Sequence, residues 1–339
     1  MAISTSYNVT SIQGAHENLE SVLKTVSPTE TPLFATLSQS AAPKATLNEW
    51  LVDSLASPEI GGVIDGVDLT ISDAANLIDT RARFGNRVQT VRDVFAVSRQ
   101  AEMIDVAPGG SLFAASKAKS LIQLKNSIET AIGSGNDQSA GTSSAGALSA
   151  GLGIWSNPSA TGNTFDTSLK QGFRAASGSR VSLSSLTESA FRGLLQAVYS
   201  EVGSKGTYNF FCGPAVMNKI TDYTRSTTAN GNFSFNQDVS GKTLVRSVLT
   251  YISDYSTINI IPDLFLGRVN GSASGTDTVE GTVNTDRGYL IPGDDTVSLK
   301  FLEGITIQDL PDNGAGKRAF SEAMVTLRVA NPLALGSVI

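Results

Sequence analysis

The only imidazole and the only thiol in this 339-residue chain belong to His16 and Cys212. A Ser-His-Asp or Cys-His arrangement would have to use His16, which lies near the N-terminus, far in sequence from Cys212. His16 reads as a solvent-facing residue of an arm. Cys212 ends the apolar run Tyr208-Asn209-Phe210-Phe211-Cys212 and reads as a small buried core residue, the usual fate of a free cysteine. A zinc site needs several His or Cys ligands and cannot be assembled from this inventory. There is no G-x-x-x-x-G-K-[ST] phosphate loop, and Gly133, Gly135 and Gly141 do not make a G-x-G-x-x-G. Asp65, Asp68 and Asp73 lack the spacing of a calcium loop. Asp294-Asp295 and the Asp309/Asp312 pair read as carboxylate-rich turns. The residues therefore predict no catalytic group, no metal and no cofactor.

What the charges do show is a division along the chain. Between residues 53 and 79 lie Asp53, Glu59, Asp65, Asp68, Asp73 and Asp79, with no Lys or Arg among them. Immediately afterwards the sign reverses, with Arg81, Arg83, Arg87, Arg92 and Arg99 in a stretch of strand-like alternation. One reading is a solvated hairpin of mixed charge. The other is a projecting acidic hairpin that docks on the basic surface of an adjacent copy. On that second reading the contact residues are Asp65, Asp68 and Asp73 on the loop and Arg81, Arg83 and Arg87 on the strand. Leu19, Val22 and Leu23 on the N-terminal arm join them.

The element that must carry such a hairpin is a helix predicted from Ser111 to Ile132. Pro108, Gly109 and Gly110 break the chain before it, Ser111 can cap it, and Gly133 stands where helices end in a left-handed residue. Ala114, Ala118, Leu121, Ile128 and Ile132 fall on one face, with Ile122 at its edge and Lys117 and Lys125 intruding. A long half-polar helix of this kind suits a member laid across a sheet. Before it, residues 1 to 45 read as an arm. Leu19, Val22, Leu23 and Val26 follow helical spacing until Ser27-Pro28-Thr29-Glu30-Thr31-Pro32 stops them. An arm this short must lie on the body of its own subunit or on a neighbour.

Thr46 to Leu55 reads as a strand, and Gly133 to Gly162 as a flexible connection or a surface loop, anchored by Trp155 and Phe165. From Phe165 to about Leu290 the pattern mixes helix and strand. Ser185-Leu186-Thr187-Glu188 has capping-box spacing before an amphipathic run of Leu186, Ala190, Phe191, Leu194, Leu195, Val198 and Val202. Tyr208 to Cys212 reads as a strand and Gly213-Pro214 opens a further helix. Leu244 to Tyr251 and Thr257 to Ile261 read as strands, with loops at 224–240 and 271–281. Strands are also expected at Thr296–Leu302, Thr306–Leu310 and Ala323–Val329, with a turn at Asp312-Asn313-Gly314. The fold class is α+β.

Composition narrows the function further. Hydrophobic residues make up 40% of the chain and charged residues only 17%, so much of the surface is small and polar or is covered by other chains. The balance of 31 Asp+Glu against 25 Lys+Arg, a net charge of −6, gives no overall attraction to nucleic acid. One cysteine excludes an intrachain disulfide. No signal-peptide pattern opens the sequence, and no apolar run approaches the ~20 residues of a membrane span. These features predict a soluble protein made in a cytoplasm.

The order of parts resembles the major capsid proteins of tailed bacteriophages, the Hong Kong ninety-seven type, in their podovirus-like SU-type branch. The residues that carry the likeness are Ser27-Pro28 with Thr31-Pro32, then Arg81 to Ser98, Lys117 to Ile132 with Glu129, Val248 to Ile261, and the tail from Glu322 to Pro332. The resemblance implies an N-terminal arm (1–45) and a peripheral domain (46–164 and 291–339). That domain holds an extended loop (53–84) and a spine helix (111–132). The remainder, 165–290, is the axial domain. In that family axial domains meet at the centres of hexamers and pentamers and extended loops overlap the neighbouring subunit. It implies an icosahedral head around double-stranded DNA that is contacted weakly and without sequence specificity. It also implies a portal protein, separate scaffolding and decoration proteins as further partners, and assembly in the host bacterial cytoplasm. Some members join subunits through a Lys–Asn isopeptide bond, but this chain has no lysine between Asp53 and Arg81 to supply one from the loop. The alternatives are another phage structural protein, such as a tail tube or decoration protein, or a hydrolase or carbohydrate-binding domain.

Overall fold

The computed structural model describes residues 28–55, 58, 60–62, 64–66, 81–104, 110–203, 205–222, 249–266, 287–293, 295–311, 314 and 316–339. The expected arm helix at Leu19 to Val26 and the expected loops at 224–240 and 271–281 lie outside them. So does most of the strand expected from Leu244, of which only its last part is described.

Pro32 opens a short helix, α1 (Pro32–Thr36), where the fixed φ of proline suits the first turn. Strand β1 (Ser38–Ser40) follows. β2 (Leu47–Val52) and β3 (Ala82–Arg87) pair antiparallel, from Leu47 opposite Arg87 to Val52 opposite Ala82. The arginine-bearing stretch is two strands, not one. After Val88 the chain leaves the hairpin and enters a different sheet as β4 (Gln89–Ser98), then turns into α2 (Arg99–Met103), capped by the Ser98 hydroxyl.

The long helix forms where expected, as α3 (Leu112–Ile132), with the Ser111 hydroxyl accepting from the Ala114 amide. Its buried row is different. Ser120, Leu124, Ile128, Glu129 and Ile132 face inward, while Ala114 and Ala118 are exposed and Leu121 is half-buried. The sheet beneath supplies the reason. Ser120 meets the Ser321 hydroxyl at 2.6 Å, and Lys117 reaches the Asp309 carboxylate at 2.7 Å while lying 4.8 Å over the Phe113 ring. Polar residues with partners can face a sheet, and alanine gains little by doing so. Gly133 also differs from expectation. Its φ is −76°, right-handed; a Cβ there would come within 2.9 Å of the Leu266 side chain, so closeness and not handedness requires glycine.

The Gly- and Ser-rich stretch after α3 is no free connection: it is held against the body, with residues 141–146 exposed as a surface loop. The Asp137 carboxylate gathers it, accepting from the amides of Gln138 (2.8 Å), Asn163 (2.6 Å) and Thr164 (3.1 Å) and from the Thr164 hydroxyl. Within it, α4 (Leu152–Trp155) buries Trp155 completely, and Phe165 is also buried, so both aromatics anchor the segment as expected. The buried Asn86 side chain clamps this segment to the rest. Its amide donates to the carbonyls of Ala150 (3.1 Å) and Leu327 (2.8 Å), and its oxygen accepts from the Ala150 amide (2.8 Å). Asn86→Ala should cost about 2–4 kcal/mol, because three backbone groups lose partners in a dry interior. Equilibrium denaturation of the unassembled subunit checks this; a cost below about 1 kcal/mol would mean that water replaces the side chain.

Downstream come α5 (Ser168–Gln171), β5 (Arg180–Val181) and α6 (Glu188–Val202). Helix α6 buries Phe191, Leu194, Leu195 and Val198 as its pattern predicts. Its cap is Thr187, which accepts from the Ala190 amide, two residues after the Ser185 that the capping-box spacing selects. Ser185 is instead taken up in a turn with Ser182. Then follow β6 (Thr207–Cys212), α7 (Pro214–Asp222), β7 (Thr250–Ile252), β8 (Thr257–Pro262) and β9 (Gly288–Pro292). The two strands expected near residues 296 and 306 are one bulged strand, β10 (Val297–Leu310), irregular on either side of Glu303. It pairs with β11 (Gly316–Val329); the last strand is β12 (Gly336–Val338).

Two larger sheets result, in the mixed α+β class expected. One has the order β1-β10-β11-β4 and carries α3 on one face. The other has the order β5-β12-β9-β6-β8-β7. The second sheet alternates as a half-buried ladder should. Tyr208, Phe210, Cys212, Ile258, Ile260 and Leu290 turn toward α6 and α7. Phe211, Tyr289 and Ile291 turn the other way, into the core that holds Trp155, Phe84, Leu124, Ile128 and Leu327.

Candidate functional site

The β2–β3 hairpin and its loop lay four apolar side chains bare in series. Leu51 and Ile64 are 66% and 77% exposed, and Leu55 and Ile60 are wholly exposed. Period-2 alternation makes this inevitable on the strand. Asn48 and Trp50 turn inward, so Glu49 and Leu51 turn out. A row of this kind is costly in water unless something covers it.

Charges flank the row. Arg83 forms an ion pair with Glu49 across the hairpin, and Arg81 with Asp53 at 3.1 Å, all on solvent-facing side chains. Arg87, half-buried at the base of the hairpin, lines a groove of about 350 Å³ with Glu49, Arg83, Gln138, Asp166 and Lys170. Asp65 is exposed on a turn completed by Gly66 at φ +82°. The structure thus places Arg81, Arg83 and Arg87 along one strand and Asp65 on the loop they support. It brings the arginines to Glu49 and Asp53 of the same hairpin. Asp68, Asp73, Leu19, Val22 and Leu23 lie outside the described residues.

A second surface is the face of the four-stranded sheet turned away from α3. Arg92 pairs with Glu322 there and its guanidinium stands 4.9 Å over the Phe320 ring, beside the 63%-exposed Val94. Sequence reasoning missed this patch, the bare row of Leu51, Leu55, Ile60 and Ile64, and the buried Glu129. The apolar residues of the loop were legible as leucines and isoleucines standing in an acidic segment; Glu129 gave the signal of a carboxylate next to the apolar Ile128.

The chemistry of the remaining candidates is closed off. Cys212 is fully buried as expected, and burial with the nearby Asp263 pushes its thiol up to about 12, so almost no thiolate exists at neutral pH. His16 lies outside the described residues. Among the described residues no group of three or more His, Cys, Asp or Glu could hold a metal ion, and no helix is long and apolar enough to cross a membrane.

The architecture, a long helix across one sheet beside a projecting hairpin with a second helix-covered sheet, matches solved phage capsids over almost its whole length. The capsid of the cyanophage P-SCSP1u aligns with 100% of this chain and 96% of its own, with a TM-score of 0.59 and 11% identity. The mature capsid of bacteriophage PhiM1 aligns over 96% and 91%, at 0.55 and 12%. A structure from Mycobacterium phage Bobi aligns over 98% and 96%, at 0.54 and 13%. The comparison with curated proteins gives no match. The fold is that of a phage capsid subunit. The model of the SU10 major capsid protein family matches residues 3–339, and the chain belongs to that family. It is a structural protein of the virion shell.

Proposed function

We propose that the chain works without catalysis, as the repeating tile of an icosahedral head built from hexamers and pentamers around double-stranded DNA. The observation that carries this is the bare apolar row on a charged hairpin, which a lone molecule leaves in water. In the proposed arrangement the hairpin and its acidic loop lie over the sheet of the next copy, where Arg92, Val94 and Phe320 offer cation and apolar surface together. Two unlike patches make a head-to-tail contact, which generates rings when the rotation closes. Each exposed ion pair contributes only about 0–1 kcal/mol, so burial of the apolar row supplies the affinity and the charges set the register.

The same reading divides the chain into an arm (1–45), a peripheral domain (46–164 and 291–339) and an axial domain (165–290). Asp65, Asp68 and Asp73, Arg81, Arg83 and Arg87, and the arm residues Leu19, Val22 and Leu23 are its contact residues. Its partners would be a portal protein and separate scaffolding and decoration proteins, with assembly in the host bacterial cytoplasm before DNA enters. The acidic balance of the chain keeps contact with DNA weak. Negative-stain imaging of the expressed full chain should show closed shells. Open tubes would favour a tail protein instead, and a monodisperse monomer at high concentration would overturn the reading.

A further inference from the structure

Behind the hairpin, two carboxyl groups meet in the interior, and among the described residues no ion pair reaches either of them. Glu129 on α3 is fully buried, and Asp263, just past β8, is 2% exposed. Their side chains lie in hydrogen-bond reach of each other. Glu129 uses both oxygens as acceptors, one from the Leu33 amide at 2.7 Å and one from the Phe34 amide at 2.6 Å. These amides are orphan donors of the first turn of α1, so the carboxylate caps that helix from outside. Asp263 accepts from the Phe265 amide with Oδ1, and its Oδ2 has no amide or hydroxyl donor. A free oxygen against a neighbouring carboxylate leaves room for one proton shared between the two groups.

We propose that Glu129 and Asp263 form a proton-dependent latch that holds the root of the N-terminal arm on the long helix, and that loss of the proton they share releases α1. With the proton in place the pair carries one negative charge, which the α1 amides receive. Without it two carboxylates face each other in a dry pocket. The movable member is α1, only five residues long, tied to α3 through these two bonds, Leu33 packing and, just upstream, the Asn126 amide donating to the Pro28 carbonyl at 3.3 Å.

The surroundings support a one-proton pair. Helix α1, Pro-Leu-Phe-Ala-Thr, has no ionisable side chain. On α3 the nearest cation, Lys125, one turn earlier, is exposed and makes no ion pair with Glu129 among the described residues. From the six-stranded sheet come the Cys212 thiol, Tyr289, whose hydroxyl donates to the Gly133 carbonyl, and the buried Arg287 just before β9. Burial and the adjacent Asp263 push the Glu129 carboxyl from 4.5 up to about 9, and burial raises Asp263 as well. The folded state therefore holds a proton that the unfolded chain gives up, and the latch is tightest at low pH. Its opening constant rises by up to about tenfold per pH unit between roughly 4.5 and 9, then levels off.

This latch is internal to one chain and does not depend on how copies meet. Hydrogen exchange of the full-length subunit, read on the peptide carrying Leu33 and Phe34 relative to one from α6, tests it separately from assembly. Between about pH 7 and about pH 10 the relative protection of α1 should fall roughly ten- to hundredfold in the natural chain. It should stay flat in Asp263→Asn, whose amide donates to Glu129 and cannot be lost as a proton. Protection of the natural chain that is independent of pH, or an Asp263→Asn response as steep as that of the natural chain, overturns the proposal. If Asp263→Asn fails to fold, Glu129→Gln takes its place, with a flat profile expected and a steep one overturning.

Discussion

Truncating Trp155 to alanine should cost about 3–5 kcal/mol of subunit stability, the range for removing a fully buried large aromatic side chain. The indole sits at the meeting point of three other rings, with a fourth behind them. Trp50 and Phe84 lie 5.7 Å from it and Phe165 5.5 Å, while Phe173 packs on Phe84 at 6.2 Å. Most of these contacts are edge-on, which adds to the area buried. The cluster also determines where the β2–β3 hairpin points. Trp50 is on β2, Phe84 on β3 and Trp155 on α4, so the indole holds both strands against the segment that Asp137 gathers. Trp155→Ala should therefore lower the denaturation midpoint of the free subunit and also reduce particle yield. A loss under 1 kcal/mol would show that the neighbouring rings collapse into the space.

Arg83→Glu should abolish shell formation while leaving a folded, soluble subunit. The side chain is 68% exposed, so its charge adds little to stability, and circular dichroism should be unchanged. The ion pair with Glu49 complicates a single substitution, because Arg83→Glu sets two carboxylates side by side within the hairpin. The double exchange Glu49→Arg with Arg83→Glu restores that pairing and reverses what each position offers a neighbour. If contact between copies is what matters, the exchange also fails to make particles under the electron microscope. If the exchange assembles normally, the arginine serves the hairpin alone and its place among the contact residues is lost.

Most of what was legible in the sequence was local. Helix α6, the strand ending at Cys212 and the helix opened by Pro214 follow from spacing and capping residues, and they form within a residue or two of expectation. The ends of α3 were legible for the same reason, but its buried face was not. Which side turns inward depends on Ser321 and Asp309, almost two hundred residues away, which make Ser120 and Lys117 welcome there. The β2–β3 hairpin showed itself as a change of charge sign; the pairing of Arg83 with Glu49 needed the register of β2 against β3, which no local pattern encodes. The partners of Asn86 and Glu129 were illegible on similar grounds. Both residues are polar and buried, and each is explained only by backbone groups far along the chain.

The short run from β11 to β12 has a mechanical consequence. Val329 ends in one sheet and Gly336 begins in the other, and between them Pro332, Ala334 and Leu335 are buried. So tight a tether leaves no slack for the two sheets to swing apart. In a shell built from such plates, a change of curvature must come from the plates tilting as wholes about their borders.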